Sequence, residues 1–303
     1  MLAQIRTLRW WIWGLVCICN IQYGSAQELL VNVYGRQYTL LNGKWNAIID
    51  PYQQGRKTAI YRNRALKDKA DFKEYAFEGG LRLNVPSDWN SQIPELKYYE
   101  GTMWYARKFE INKKSDENLF LYFGAVNYRC RVYLNGTLIG SHEGGFTPFQ
   151  FNVTNVVKEG GNFLAVEVDN TRTADAIPAL SFDWWNYGGI TRDVMLVHTP
   201  KNYIRDYFIQ LDKYDSDRVH AEVQLSAQNA GQLVKIEIPE LKIANKVFTD
   251  GTGLAKATFR VRNLERWSPQ APKLYQVIVS SEVDEVKENI GFRNLYVKNT
   301  QIY

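Results

Sequence analysis

Cysteine, histidine and methionine each occur only three times in 303 residues, and this scarcity removes whole classes of function. His142, His198 and His220 are isolated from one another, and none has a second ligand at metal-binding spacing. No phosphate-binding loop or dinucleotide fingerprint occurs either, so neither a metal nor a cofactor is expected. The net charge of +5 is not gathered into a patch: Arg129 and Arg131 fall at alternate positions of a strand that faces water, and nucleic acid is not an expected partner. Beyond the N-terminus, no apolar run approaches the roughly 20 residues that a spanning helix needs, so no membrane span is expected.

The N-terminus reads as an export leader over residues 1–26. Arg6 and Arg9 precede the apolar stretch Trp10 to Ile21, and Gly24-Ser25-Ala26 offers a small-residue cleavage site before Gln27. The expected location is periplasmic or extracellular. Loss of the leader removes Cys17 and Cys19, leaving Cys130 without a disulfide partner, as a buried structural thiol. Stability then has to come from core burial, and the composition, 45% hydrophobic and 14% aromatic, suits that.

What is abundant is alternation with period two. Val219, Ala221, Val223, Leu225 and Ala227 interleave with His220, Glu222, Gln224 and Ser226, the pattern of a half-buried strand. Tyr105, Phe109 and Ile111 alternate with Lys108 and Glu110, and Tyr128, Cys130, Val132 and Leu134 with Arg129, Arg131 and Tyr133, which places Tyr133 on the water face. Asn135-Gly136 supplies the positive φ angles of a tight hairpin. Only Asp68 to Phe77 reads as a short helix. Many short strands between turns predict an all-β chain of two sandwiches. Thr199-Pro200 and the polar Lys201-Asn202 mark a boundary, and five of the six tryptophans after residue 26 precede it. The expected organisation is a domain over 27–200, a second over 201–289, the size of an immunoglobulin-like sandwich, and a final strand over 290–303.

Four segments of the first domain carry a family pattern. They are Leu41-Asn42-Gly43-Lys44-Trp45; Tyr99 to Arg107, with Trp104-Tyr105-Ala106-Arg107 at its core; Phe123-Gly124-Ala125-Val126 with Val132 to Gly136 and His142 to Phe149; and Asp183-Trp184-Trp185-Asn186-Tyr187-Gly188-Gly189-Ile190-Thr191-Arg192-Asp193-Val194. In this order they resemble glycoside hydrolase family 2, the group of β-galactosidases, β-glucuronidases and β-mannosidases. The likeness continues through Arg266-Trp267-Ser268-Pro269 to Ile290-Gly291-Phe292-Arg293, which is similar to the lead-in strand of the family's catalytic barrel.

The resemblance implies a jelly-roll, sugar-binding sandwich followed by an immunoglobulin-like one. In the family, two glutamates on a (β/α)₈ barrel do the chemistry; a retaining pair stands about 5–5.5 Å apart and the barrel takes about 250 residues. Only a short tail follows Arg293, so the expectation is a non-catalytic front portion, inactive alone, with no catalytic residue in this chain. Glu143, Asp175, Glu237 and Glu240 read as exposed loop or strand residues. The partner classes implied are a β-glycoside and a barrel domain in cis or in trans. A stand-alone secreted carbohydrate-binding protein is the alternative from another class.

By motif match, Asp183 would hydrogen-bond a hydroxyl of the terminal sugar. Carboxylate oxygens suit that role because they accept charge-assisted hydrogen bonds. Trp184 could cover the C–H face of a sugar ring, and Asn186 completes the substrate-binding set; the bland reading makes Asp183 and Asn186 turn caps and Trp184 and Trp185 fillers of the sandwich end. Arg192, Trp104 and Tyr105 are expected to be structural, Arg192 by pairing with a carboxylate or turn carbonyls. Asn135-Gly136-Thr137 and Asn152-Val153-Thr154 fit the glycan-acceptor pattern and equally fit turns.

Overall fold

The computed structural model describes residues 29–65, 68, 76–215 and 217–302. The leader expected at 1–26 and most of the helix expected at 68–77 lie outside these residues. What is described is nearly all β. In chain order the first part forms β1 (Tyr38–Leu40), β2 (Gly43–Ile49), β3 (Leu81–Val85), β4 (Ser87–Asp88), β5 (Thr102–Ile111), β6 (Glu117–Phe123), β7 (Val126–Asn127), β8 (Arg129–Leu134), β9 (Thr137–Glu143), β10 (Phe149–Asn152), β11 (Gly160–Asp169), β12 (Gly189–Ile190) and β13 (Val194–Pro200). A four-stranded sheet, β1-β13-β6-β10, packs on a six-stranded one, β3-β2-β5-β11-β8-β9, and the short ladder β4-β12-β7 adds a third.

The alternation expected from sequence fills the space between the sheets. Cross-strand register sets Ala47, Tyr105, Val166 and Val132 in one inward row, all buried with Trp45, Leu83 and Leu121. Each large apolar side chain fully buried in this way stabilises by roughly 1.5–3 kcal/mol. The Trp45 indole donates to the Leu41 carbonyl at 2.8 Å, so its one polar atom is satisfied. Cys130 is buried here too, and loss of solvation pushes its thiol up to about 12, an inert thiol as expected. At the hairpin between β8 and β9, Asn135 and Gly136 have φ of 52° and 82°. The Asn135 amide is committed to the Val156 carbonyl and Asn162 Oδ1, and Asn152 Oδ1 accepts from Thr154.

One strand face departs from the sequence reading. Tyr133, expected to face water, is buried on the outside of the six-stranded sheet, where Tyr61 stacks on it with ring centroids 4.2 Å apart. The excursion between β2 and β3 brings Ile60 and Phe77 over Trp104, Ala106, Tyr133 and Ala165, making a second apolar layer. Asp50 ties that excursion down by accepting from the Gln54 and Gly55 backbone amides and from Trp104 Nε1 at 3.0 Å. Alternation alone could not show this, because the covering segment is remote in sequence.

The same outer face buries a charge. Glu167, opposite Trp104 and Arg131 in register, is 4% exposed. Burial raises its carboxyl above the usual range, against the lowering effect of Arg56 and Arg131. A raised folded-state pKa means that the protonated form is the one favoured by folding. Its contribution is therefore present below the ordinary glutamate value of about 4.3 and is lost as pH rises through the folded-state value. Glu167→Gln is expected to be more stable than the parent at neutral pH, the advantage vanishing below about pH 4. Urea denaturation at several pH values reads this, and a destabilised variant at neutral pH would contradict it.

The second part forms β14 (Ile204–Leu211), β15 (Arg218–Leu225), β16 (Leu233–Ile238), β17 (Ile243–Phe248), β18 (Leu254–Arg260), β19 (Tyr275–Ser280) and β20 (Glu285–Ile290), then a hairpin of β21 (Val297–Lys298) and β22 (Gln301–Ile302). Sheet β14-β15-β18 faces sheet β17-β16-β19-β20. Val219, Ala221, Val223 and Leu225 point inward as the alternation predicts, while Ala227 lies beyond the end of β15. Both expected sandwiches are present. Ile290 closes β20 against Tyr275, Phe292 is buried in this second core, and Arg293 lies over the Trp267 ring at 4.7 Å.

A strap over residues 29–36 joins the two sandwiches. Leu30 and Val33 pack on Phe120, Tyr122, Met195 and Val197, covering the outside of the four-stranded sheet. Arg36 then reaches between the domains: its guanidinium donates to the Val31 and Ile204 carbonyls and pairs with Asp284 at 2.8 Å, and Asp284 also accepts from the Ile204 amide.

Candidate functional site

The segment between β11 and β12 carries the motif residues Asp183 to Gly188 at one end of the first sandwich. It has little regular structure, so its backbone groups need other partners. Four buried asparagines provide them. Asn170 and Asn186 exchange amide-to-carbonyl hydrogen bonds at 2.5 Å each, and the Gly101 amide donates to Asn170 Oδ1. Asn127 Nδ2 donates to Asn186 Oδ1 at 2.8 Å and to the Tyr187 carbonyl. Asn90 Oδ1 accepts from the Gly188 amide, while its Nδ2 donates to the Leu96 and Tyr99 carbonyls.

The paired glycines are required by this packing. A Cβ on Gly188 would lie 2.1 Å from the Trp89 ring, and one on Gly189, at φ +146°, would lie 2.7 Å from the Ser87 carbonyl oxygen. Gly145 is equally constrained, since a Cβ there would meet Asn127 Oδ1 at 2.0 Å.

The structure separates the six residues singled out from sequence. Asp183 and Trp184 are exposed, and the Asp183 carboxylate has no hydrogen-bond or ion-pair partner among the described residues. Trp184, 52% exposed, leans on Phe182 with centroids 4.3 Å apart. Asn186 is 2% exposed and its side chain is used inside the loop, so its geometry is that of a brace. Arg192 donates to the Phe146 carbonyl at 3.3 Å, a turn carbonyl as expected. Trp104 and Tyr105 are fully buried on opposite faces of β5, and burial raises the Tyr105 phenol.

A cleft of about 320 Å³ opens between Trp184, Tyr187, Phe146 and Arg192, with Asn127 among its lining. Trp185 backs it, held edge-on by Tyr98 at 5.5 Å and capped by Arg172, which pairs with Glu100 at 2.7 Å. Asn127 was not among the residues picked from sequence. Its Oδ1 is buried and has no hydrogen-bond partner among the described residues. The signal that could have found it is a carboxamide standing in the otherwise apolar stretch Phe123 to Tyr128. No carboxylate lines the cleft among the described residues, and no group of three or more His, Cys, Asp or Glu among them could hold a metal. The aromatic faces of the cleft can cover a ring's C–H face, and the exposed Asp183 carboxylate, next in sequence to Trp184, can accept hydroxyl protons.

Residues 39–200 match the sequence profile of the "Glycosyl hydrolases family 2, sugar binding domain", and residues 202–293 that of "Glycosyl hydrolases family 2". The chain belongs to glycosyl hydrolase family 2. Within the family it is 29% identical over 227 residues to a putative β-glucuronidase of Formosa agariphila, covering 70% of this chain and 28% of that one. It is 30% identical over 251 residues to a β-galactosidase of Thermoanaerobacter pseudethanolicus, covering 77% and 34%. Among solved structures, a β-glucuronidase of an uncultured Clostridium sp. superposes with a TM-score of 0.74 at 28% identity, covering 91% of this chain and 48% of that one. The family 2 chain thus spans about a third or less of these two curated relatives, and about half of the solved enzyme. No helix among its described residues is long and apolar enough to cross a membrane.

Proposed function

We propose that this chain is the non-catalytic front portion of an exported family 2 glycosidase, acting on a β-glycoside with a lean toward β-glucuronides and inactive alone. In this reading the two sandwiches buttress a catalytic barrel and present the loop from Asp183 to Tyr187 at its mouth. The observation that carries it is the loop itself. An exposed, unpaired carboxylate stands next to an exposed indole, on a segment whose backbone is held by four buried asparagines. Such a loop is preorganised to meet a ligand that its own sandwich does not enclose. The glucuronide lean is supported by the names of the Formosa and Clostridium relatives. Export, to the periplasm or beyond the cell, is supported by the N-terminal pattern of residues 1–26.

A second reading, a stand-alone carbohydrate-binding protein, is favoured by the cleft beside Trp184. Supplying the chain with a barrel separates the two. Joined in frame to the barrel of the Clostridium β-glucuronidase, the chimera is expected to hydrolyse aryl glucuronides. Asp183→Ala should then lower kcat/KM by about 100-fold, the equivalent of ~2.7 kcal/mol. Unchanged kinetics in Asp183→Ala would remove the loop from the substrate site. Tight glycan binding by the chain without a barrel, abolished in Trp184→Ala, would favour the second reading.

A further inference from the structure

A second cleft, of about 340 Å³, lies on the outer face of the six-stranded sheet and shares no lining residue with the loop-end cleft. Strand register builds it: Arg131 and Glu167 stand opposite each other on β8 and β11, as do Arg129 and Asp169, and Glu143 of β9 faces Arg129. Arg56, from the excursion between β2 and β3, completes the wall. Part of this polar capacity is used internally. Arg129 pairs with Glu143 at 3.3 Å and donates to Thr173 Oγ1 at 2.8 Å. Arg56 and Arg131 both approach Oε1 of Glu167, at 3.1 and 3.6 Å.

The other oxygen, Glu167 Oε2, is buried and has no hydrogen-bond partner among the described residues. A buried acceptor left without a donor keeps its desolvation cost, and a donor brought by a ligand would remove that cost. The character of the donor follows from the lining. Guanidiniums and carboxylates alternate in equal number, so the wall offers donors and acceptors side by side with little net charge. Three carboxylates disfavour an anion, three guanidiniums a cation, and a lining without an aliphatic, Phe, Tyr or Trp side chain an apolar ligand. A hydroxyl both donates and accepts, which matches such a wall.

We propose that this cleft is a subsite for one neutral, hydroxyl-rich sugar unit, with a ligand hydroxyl donating to Glu167 Oε2 and accepting from Arg56 or Arg131. The Arg56 side chain, 41% exposed, is the wall that can swing to admit it. The subsite goes beyond the loop-end reading and does not need a barrel.

The test is saturation-transfer NMR on the full chain, titrated with methyl β-D-glucopyranoside and methyl β-D-galactopyranoside. Saturable binding in the millimolar range is expected with at least one of them. Glu167→Gln, which replaces the free acceptor by a donor, should weaken it by about tenfold or more, whereas Trp184→Ala should leave it unchanged. Arg131→Gln, at a half-exposed side chain, is the independent second variant of the cleft. No saturable signal with either glycoside would overturn the proposal, as would binding that survives the cleft variants or that Trp184→Ala weakens equally. The last outcome would place the sugar at the loop end, so the two sites fail separately.

Discussion

Arg36→Ala is expected to destabilise the chain by about 3–5 kcal/mol and to let the two sandwiches unfold in separate urea transitions where the parent is expected to show one. The side chain is almost fully buried, and it is the point where the N-terminal strap, the first residue of β14 and the turn before β20 meet. Removing the guanidinium leaves the Asp284 carboxylate buried with, among the described residues, only the Ile204 amide as partner, and leaves the Val31 and Ile204 carbonyls short of a donor. A buried pair broken on one side loses more than the pair contributed, because the remaining charge keeps its desolvation cost. Arg36→Lys should recover little of it, since one ammonium cannot reach three acceptors set around a planar fork. Two transitions are expected because the strap otherwise leaves Leu30 and Val33 on one sandwich and Asn32, which donates to the Lys287 carbonyl, on the other. A loss below about 1 kcal/mol would mean that the pair behaves as an exposed one.

Asn186→Ala is expected to cost roughly 2–4 kcal/mol, with loss of the loop conformation exceeding what the unfolding curve alone conveys. The change removes the donor to the Asn170 carbonyl and the acceptor for Asn127 Nδ2, in a place that is 2% exposed. Asn127 keeps its second bond to the Tyr187 carbonyl, so the network loosens rather than collapses. Asn186→Asp should be nearly as costly, because it turns a donor toward the Asn170 carbonyl into an acceptor and buries a charge. Chemical denaturation measures the stability; the altered fluorescence of Trp184 and Trp185 reports the loop. In a barrel-bearing chimera the same change should reduce kcat/KM as Asp183→Ala does, through misplacement of the carboxylate. Wild-type stability with an unaltered indole spectrum would show that the asparagine is no brace.

How much of this could be read from residues alone depends on the range of the interactions. The inward rows of β5, β8 and β15 followed from local alternation, since each strand decides its own two faces. The Asn135-Gly136 hairpin and the inert Cys130 were legible for the same reason. Tyr133 was misplaced because the segment that covers it, around Tyr61, is some 70 positions earlier in the chain, beyond any periodicity. In the motif, type alone could not tell the exposed Asp183 from the buried Asn186, both being short polar residues suited to turns. The asparagines at 90, 127 and 170 escaped notice because each looks ordinary in its own segment and acquires meaning only when the loop closes on it.

The most direct measurement is turnover of aryl β-glucuronide, β-galactoside and β-mannoside by the purified 303-residue chain. No hydrolysis is expected in the proposed reading, because cleavage of a glycosidic bond with retention takes two carboxyls fixed about 5–5.5 Å apart across the bond; the cleft beside Trp184 has no carboxylate in its lining, and Glu143 and Glu167 of the second cleft are engaged by arginines. Saturable hydrolysis of any of the three, retained after size-exclusion purification and removed by Asp183→Ala, would contradict a non-catalytic front portion.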